Sequence, residues 1–315
     1  MPLKYMPDKI VQNKNSVEKD SAPIAKQQKE IEWNVSAPRY TMNDLILDAT
    51  TFNQLLDVIS YFKNRELLFS QWGLSERFAD QGGLAVNLYG LPGTGKTMAA
   101  HAITNELHKM MICVDYAEIE SKYVGETSKN LSSLFQAARE QDMVIFFDEA
   151  DALLSKRVTN MASATDVSVN QTRSVLLNLM NQYQGVIIFA TNFIQNFDVA
   201  FLRRIKYHIQ FHLPSISMRE HLWRTYIPEK MPCQVDYADL ARKFSGISGS
   251  DIANAVFSAA VGAARDKEKI VLQSRFEEAI QRCIEVKHAN QGGQITVSKR
   301  MVSEEEMKQN LGYGE

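Results

Sequence analysis

The central part of the chain alternates short apolar runs with longer stretches in which apolar and polar residues mix. The runs lie at Ala85–Tyr89, Met111–Tyr116, Val144–Phe147, Val186–Ala190 and Tyr207–Phe211. Continuous apolar strands separated by helical lengths are typical of a parallel sheet that is covered on both faces. The pattern therefore predicts an α/β domain, which we place at residues 42–214.

Helical patterns flank these strands. From Met42 to about Phe78, apolar residues recur at helical spacing. Beyond the last strand the pattern indicates helices alone, at Met218–Tyr226, Asp236–Phe244, Ser250–Ala264 and Ser274–Val286. Ser250 and Asp251 start the third of these helices, where a hydroxyl or a carboxylate satisfies free backbone amides. We predict a second, smaller helical domain at residues 215–290.

The two ends of the chain are polar and show little periodicity. Residues 1–41 are predicted to form a flexible arm with one short helix at about Ala25–Trp33, or alternatively a segment that docks a partner. The sequence does not distinguish the two. A tail at residues 291–315 is predicted to carry one short helix, which begins with a capping box of Ser303 and Glu306.

The charge balance excludes one class of function. The chain has 35 lysines and arginines against 37 aspartates and glutamates, a formal net charge of −2, whereas a nucleic-acid coat protein needs a surplus of cations. The apolar runs are about five residues long, far short of the roughly 20 that span a bilayer. The N-terminus has no apolar signal segment, and the three cysteines form no CxxC pair. We expect a cytoplasmic protein without membrane contact, structural zinc or disulfides.

The first chemical motif follows the first predicted strand and opens a helix. Residues 90–97 read GLPGTGKT, a complete GxxxxGKT loop. The glycines let backbone amides point at phosphate oxygens, the lysine brings a positive charge to the β and γ phosphates, and the threonine hydroxyl can bind Mg²⁺. The residues that we assign to ATP from this loop are Gly90, Pro92, Gly93, Thr94, Gly95, Lys96 and Thr97.

Two carboxylates end the third predicted strand, which reads VIFFDE at residues 144–149. Ligands of open α/β sheets bind at this carboxyl edge. Asp148 is predicted to hold Mg²⁺ together with Thr97, and Glu149 to polarise the attacking water as a general base. A solvated strand end is the alternative for an isolated Asp-Glu pair, but the phosphate loop about 50 residues earlier favours catalysis. The sequence therefore favours a hydrolase over a module that only holds nucleotide.

Two further polar groups follow the fourth strand. Asn192, in FATN, is predicted to reach between the γ-phosphate and the water, with an ordinary strand-end turn as the alternative. Arg203 and Arg204, in DVAFLRR, are either a charged surface edge or planar cationic donors aimed at a triphosphate.

The loop, IFFDEAD, FATN and DVAFLRR occur in an order and spacing that resemble the AAA+ ATPases. The resemblance is to the clade of katanin and spastin, with HORMA-remodelling ATPases as more distant kin, and to small single-module bacterial AAA proteins. It covers about Met42 to Lys287. It implies a P-loop NTPase sheet of five parallel strands in the order 5-1-4-3-2, a C-terminal helical lid domain and a ring of six subunits. It also implies ATP and Mg²⁺ as ligands.

The resemblance assigns roles by position. Asn192 is similar to the sensor-1 residue, and Arg203 and Arg204 resemble arginine fingers that reach into a neighbouring subunit's site. Gly249 and Ser250 lie in GISGSD, which resembles the lid segment near adenine and ribose. The arginines are adjacent here, whereas relatives with an LRPGRFDR segment space them, so which one is the main finger stays open.

A further segment, SKYVGET at residues 121–127, resembles the loop that projects into the central pore of such rings and grips a polypeptide. Lys122, Tyr123, Val124 and Gly125 are the predicted substrate-binding residues. An aromatic–aliphatic pair on a glycine-hinged loop offers an apolar grip with little side-chain specificity. The alternative is that the tyrosine packs under the helix that follows.

The resulting hypothesis is an ATPase that forms a homo-hexamer and unfolds or remodels a partner protein, with a HORMA-like protein as one candidate. The alternatives are a nucleic-acid motor or loader and a nucleotide-dependent scaffold. The near-neutral charge and the aromatic loop weigh against the first, and Glu149 weighs against the second. The sequence does not specify the substrate, a closed ring or a spiral, or the roles of the arm and the tail.

Overall fold

The computed structural model describes residues 33–77, 83–114, 126–155, 164–192 and 197–290. The predictions for the first 32 residues, for the pore loop at Lys122–Gly125 and for the tail at residues 291–315 lie outside the described residues. The chain from Trp33 onward is one unit by its contacts.

A mainly parallel sheet forms the centre of the α/β region. Its strands are β1 (Val35–Ser36), β2 (Leu84–Gly90), β3 (Met111–Val114), β4 (Val144–Phe147), β5 (Val186–Thr191) and β6 (Tyr207–Phe211), in the spatial order β1-β3-β4-β5-β2-β6. The five parallel strands confirm the predicted order 5-1-4-3-2. The sheet differs from the prediction by a sixth strand, because β1 pairs antiparallel with the edge strand β3 and places Val35 opposite Ile112. Two residues are too few to show a strand pattern in the sequence.

Helices cover both faces of the sheet. They are α1 (Ala49–Lys63), α2 (Lys96–Glu106), α3 (Glu126–Glu140), α4 (Asp151–Leu154), α5 (Ala164–Gln182) and α6 (Val199–Leu202). Along β5, Ile188 packs in one core with α1 and α2, whereas Phe189 packs in the other with α3 and α5. This two-sided burial explains why the strands are apolar without alternation. In the part of the chain that the structure describes, no helix has both the length and the apolar character needed to cross a bilayer.

The predicted helical stretch at residues 42–78 is interrupted. The carboxylate of Asp48 caps α1 by accepting a hydrogen bond from the backbone N–H of Thr51. The rest is made of single turns at Met42–Asp44, Leu67–Gln71 and Leu74–Glu76. Gly73, with a φ of 67°, separates the last two turns, and this left-handed conformation favours glycine.

A helical region follows β6. Its elements are α7 (Ile216–Tyr226), α8 (Tyr237–Lys243), α9 (Gly249–Arg265) and α10 (Gln273–Asn290), with a short parallel pair of β7 (Cys233–Gln234) and β8 (Val271–Leu272) that the sequence did not indicate. Trp223 and Phe276 are fully buried at its centre, with ring centroids 6.1 Å apart. The start of α9 corrects the prediction, because Ser248 rather than Ser250 is the capping residue and forms a capping box with Asp251.

Candidate functional site

The loop between β2 and α2 has a backbone that only glycine adopts easily. Gly93 and Gly95 have φ values of 75° and 99°, in the region that larger residues disfavour. A Cβ atom on Gly93 would lie 1.9 Å from the Ser250 hydroxyl oxygen. Thr94 Oγ1 donates to the carbonyl of Leu91 at 2.8 Å and closes the turn. Because Gly95 immediately precedes α2, the free amides of the first helical turn are available to an anion in the loop.

Lys96 folds back into this loop. Its Nζ donates to two loop carbonyls at 2.7 and 3.0 Å and to Asn192 Oδ1 at 3.0 Å. Burial lowers the pKa of Lys96, and the charges of Asp148 and Asp151 oppose that shift. Hydrogen bonds from an ammonium group to an anion are stronger than those to neutral carbonyls, so a phosphate is the better partner for this group. The structure thus brings the predicted lysine and the predicted sensor residue into contact.

Thr97 and Asp148 are also in contact. Thr97 Oγ1 donates to Asp148 Oδ2 at 3.1 Å. The other carboxylate oxygen of Asp148 accepts from the backbone N–H of Glu149 at 2.9 Å. Hydroxyl and carboxylate oxygens are the ligand types that Mg²⁺ prefers. The two side chains therefore fit the ion that the sequence analysis assigned to them.

Glu149 follows the buried strand β4 in an unusual conformation. Its φ is 49°, a left-handed value that is uncommon for a residue with a side chain. The side chain is exposed and makes no hydrogen bond within the described residues. It lines an open cleft of about 470 Å³ together with Thr97, His101 and Asp148. A free carboxylate beside Thr97 and Asp148, the pair that the sequence analysis assigned to Mg²⁺, is what a general base requires.

Asp151 belongs to the site, although the sequence analysis did not select it. Both of its carboxylate oxygens lie 3.2 Å from the backbone N–H of Asn192, which donates to them. This contact fixes the end of β5 against the start of α4. The available signal was the last letter of DEAD in the sequence, since Asp151 lies one helical turn beyond Asp148.

The helical region after β6, which was predicted to be a lid at residues 215–290 and is called the lid below, contacts the phosphate loop through the start of α9. Ser250 N–H donates to the carbonyl of Gly93 at 3.3 Å. The hydroxyls of Ser248 and Ser250 lie 3.1 Å apart, and Gly249 lines a cleft together with Gly93. The two lid residues assigned to ATP, Gly249 and Ser250, therefore lie directly against the phosphate loop.

A cleft of about 270 Å³ lies between the loop, the lid and the segment that follows β1. Its lining includes Tyr40, Ile46, Leu47, Met98, Met218 and Leu222. Backbone groups of that segment are tied to α2, since Arg39 N–H donates to His101 Nδ1 at 3.3 Å and the Tyr40 carbonyl accepts from Asn105 at 3.2 Å. Sequence analysis missed this wall because residues 40–47 have no motif and belong to no long element.

The two arginines after α6 differ in their contacts. Arg204 Nε donates to Asn181 Oδ1 at 3.0 Å, and its Nη1 donates to the Ala200 carbonyl at 3.1 Å. Arg203 is exposed, and its side chain has neither a hydrogen bond nor an ion pair within the described ranges. Among the described residues, neither arginine donates a hydrogen bond to Asp148, Glu149 or Asp151.

Comparison with known proteins agrees with this geometry. Residues 86–213 match the ATPase family associated with various cellular activities (AAA). The chain is 35% identical over 225 residues to the 26S proteasome regulatory subunit 8 homolog of Saccharomyces cerevisiae, covering 68% of this chain and 54% of that protein. It is 32% identical over 203 residues to the ATP-dependent zinc metalloprotease FtsH of Ureaplasma parvum, covering 63% of this chain and 28% of that protein.

A third relative is the 26S proteasome regulatory subunit 7 of Dictyostelium discoideum, 34% identical over 211 residues, which are 63% of this chain and 48% of that protein. The chain spans about half or less of the length of these relatives. The matched region contains the phosphate loop, the Asp148 strand and both arginines. The fold and the loop geometry agree with these matches, in which residues 86–213 are an ATPase domain of the AAA type.

Proposed function

We propose that the protein is a Mg²⁺-dependent ATPase that acts as a ring of identical subunits and remodels protein substrates. The observation that carries the proposal is the convergence of Lys96, Thr97, Asp148 and Asn192 at the carboxyl ends of β2, β4 and β5. The exposed carboxylate of Glu149 lies beside them. The relatives are named as an ATP-dependent zinc metalloprotease and as regulatory subunits of the 26S proteasome. These names support a protein as the substrate.

The residues of the site divide the reaction between them. The loop amides and Lys96 bind the β and γ phosphates, and Thr97 and Asp148 hold the metal. Bound Mg²⁺ would neutralise charge on the phosphate oxygens. Glu149 accepts the proton of the attacking water, and the side-chain amide of Asn192, whose backbone N–H donates to Asp151, orients that water. Mutation of the general base is expected to lower turnover by roughly 10²–10⁴-fold.

Of the two arginines, we propose Arg203 as the residue that acts in the neighbouring subunit's site. Arg204 already donates to Asn181 and to a backbone carbonyl of its own subunit, whereas Arg203 is exposed. An arginine supplied to a phosphoryl-transfer site contributes roughly 10³–10⁵ in rate.

Separate alanine variants of the two arginines test this assignment. Arg203→Ala should lower ATP turnover by at least about 10³-fold with an unchanged melting temperature. Arg204→Ala should lower the free energy of unfolding by about 1 kcal/mol through its lost hydrogen bonds and retain more turnover. Turnover assays and thermal unfolding on both variants give the answer, and the reverse ranking of activities would contradict the assignment.

The remodelling part of the proposal rests on the loop at Lys122–Gly125. We propose that Tyr123 and Val124 grip a polypeptide in the centre of a homo-hexamer and that ATP hydrolysis moves the loop. A cytoplasmic location is proposed with it, in keeping with three free cysteines. A HORMA-like partner stays a prediction, which a conformational assay on such a protein with and without ATP tests.

The deciding experiment captures the substrate. Glu149→Gln should bind ATP without cleaving it and retain a client protein from native lysate only when ATP is present. Tyr123→Ala in the same background is the control, and it should bind ATP equally well but release the client. Nucleic acid in the eluate would support a loader instead. Recovery of the protein alone, together with no turnover by the unsubstituted protein above the Glu149→Gln background, would support a scaffold.

A further inference from the structure

A group of buried polar side chains connects β5, β2 and β6 within the sheet. Asn87, in the middle of β2, is fully buried. Thr191 Oγ1, at the end of β5, donates to Asn87 Oδ1 at 3.2 Å. On its other side, Asn87 is paired in register with His208 of β6, so that the two side chains leave the same face of adjacent parallel strands, about 4.8 Å apart.

The unused atoms of this group are chemically complementary. His208 Nε2 lies 3.4 Å from the carbonyl oxygen of Leu202. A carbonyl only accepts, so Nε2 carries the proton, and Nδ1 of the neutral ring is an acceptor. Asn87 Nδ2 and His208 Nδ1 are both buried without a hydrogen-bond partner among the described residues. One side chain thus offers a free donor and its cross-strand neighbour a free acceptor.

Buried polar atoms in native proteins are almost always hydrogen-bonded, directly or through a water. An apolar residue at either position would avoid the cost of burying them, which is about 1–3 kcal/mol for an unpaired group. Two complementary atoms on neighbouring strands are therefore best explained as two ends of one hydrogen bond, made directly after a small shift or through one water.

One end of this group of polar side chains lies next to the proposed nucleotide site, and the other end lies next to Arg203. Thr191 is followed by Asn192, which accepts a hydrogen bond from Lys96. Leu202 is the last residue of α6 and is followed by Arg203. A bond between Asn87 and His208 would complete a continuous path from the nucleotide site of one subunit to the arginine that this subunit extends outward.

We propose that Asn87 and His208 are positioning residues that hold the turn of Arg203 in register with the nucleotide site of the same subunit. This inference rests on the proposed function, since it needs Arg203 to act in a neighbour. The path runs through a hydrogen bond on the carbonyl of Leu202, so it orients the backbone from which the arginine departs. Neither side chain contacts nucleotide.

Mixed rings test the proposal because they separate the subunit that donates Arg203 from the one that hydrolyses ATP. Donor subunits carry Glu149→Gln, which keeps the hydrogen bond from Lys96 to Asn192, and acceptor subunits carry Arg203→Ala. Each is inactive alone, and mixing them is expected to restore turnover at acceptor sites next to a donor. His208→Leu placed in the donor should lower the restored turnover by roughly fivefold, within the range of coupling through packed networks. The same substitution in the acceptor should change it little, because that subunit's arginine is already absent.

Three controls accompany the mixture. The glutamine in His208→Gln keeps one hydrogen-bond donor and one acceptor. A donor subunit with this change should therefore restore most of the turnover that the parental donor subunit restores. Asn87→Leu in the donor should reproduce the loss, and combining it with His208→Leu should add little more. Gln210 lies on the same face of β6, and its side chain accepts a hydrogen bond from Tyr89; Gln210→Leu should leave the turnover of the mixture unchanged. Asn87→Leu and His208→Leu each leave a buried partner atom without its hydrogen bond and should lower the melting temperature, so turnover is compared at a temperature at which every variant is folded.

The outcomes distinguish the positioning role of Asn87 and His208 from the action of Arg203 in a neighbouring subunit. Equal losses from donor and acceptor placement, or no loss from either, would overturn the positioning role while leaving the shared site intact. Failure of the parental mixture to regain any turnover would refute the proposed action of Arg203 in a neighbour, and the positioning role would fall with it. If His208→Leu does not fold, Asn87→Leu provides the same comparison between donor and acceptor placement.

Discussion

At the scale of single residues, Glu149 combines its proposed role as general base with an unfavourable backbone conformation. Its φ of 49° costs a residue with a Cβ about 1–2 kcal/mol relative to an ordinary conformation. Strained residues persist where the surrounding structure fixes them, and they concentrate at functional sites. Here the buried strand β4 on one side and the Asp148 carboxylate, bonded to the Glu149 N–H, on the other fix the conformation.

Paired substitutions at Glu149 separate the carboxylate from the backbone strain. Glu149→Gly and Glu149→Ala should abolish turnover alike, since both remove the base. The glycine variant should nevertheless be more stable than the alanine variant by about 1 kcal/mol, because glycine adopts a positive φ freely. Denaturant unfolding of both variants measures the difference. Equal stabilities would show that the left-handed conformation at this position carries no strain.

At the scale of elements, the contact between the phosphate loop and α9 depends on the absence of a side chain at Gly93. The capping box of Ser248 and Asp251 starts α9 at the height of the loop, and Ser250 lies where a Cβ atom of residue 93 would be. The lid therefore meets the loop by backbone contact, and any widening of the loop must displace the lid.

Gly93→Ala tests this contact against a matched glycine in α9. It should weaken ATP binding by roughly tenfold or more, since it adds both a clash and a left-handed penalty of about 1–2 kcal/mol. A second change, Ser250→Gly, should recover part of the affinity because it removes the closest contact of the added carbon, whereas the contact with the Ser248 hydroxyl at 2.7 Å remains. Gly262→Ala, where no atom lies within 4 Å of the added carbon, should keep affinity and raise stability by about 0.5–1 kcal/mol. Nucleotide titration and thermal unfolding measure both effects.

The sequence predicted the long elements of the fold but not the short ones. The parallel strands are apolar runs with distinctive motifs at their ends, and the structure confirms their order, which the family resemblance implied. Strand β1, the β7–β8 pair and the start of α9 were missed or misplaced. Two-residue strands show no period, and Ser248 and Ser250 offer the same hydroxyl, so only the backbone geometry decides which one caps the helix. The wall at residues 40–47 is set by tertiary packing on α2, which leaves no local pattern.

At the scale of the whole molecule, the nucleotide cleft is built from three distant parts of the chain: the segment after β1, the phosphate loop and the lid. Under the proposed function, nucleotide in this cleft would contact all three and stabilise their arrangement. The proposed site of one subunit contains Lys96 but no arginine for the developing charge, since Arg203 and Arg204 make no hydrogen bond to it among the described residues. A complete site therefore requires a second subunit under the proposed function.

Assembly should consequently control activity. The specific rate of ATP hydrolysis should rise with protein concentration and level off when rings are complete, because dilution separates each arginine from the site that it serves. Turnover measured across a dilution series, with molecular mass followed by light scattering in the same samples, tests this. A constant specific rate from a monomer would contradict the shared site.

The short strand β1 has a consequence for solubility. It occupies the outer side of β3, a run of buried apolar residues at Met111–Val114 whose backbone groups would otherwise be exposed along the sheet margin. Exposed apolar edges are templates for pairing with other chains. A truncation at residue 42, where the α/β pattern begins, would uncover this edge and favour aggregation, whereas a truncation at residue 32 would keep it sealed.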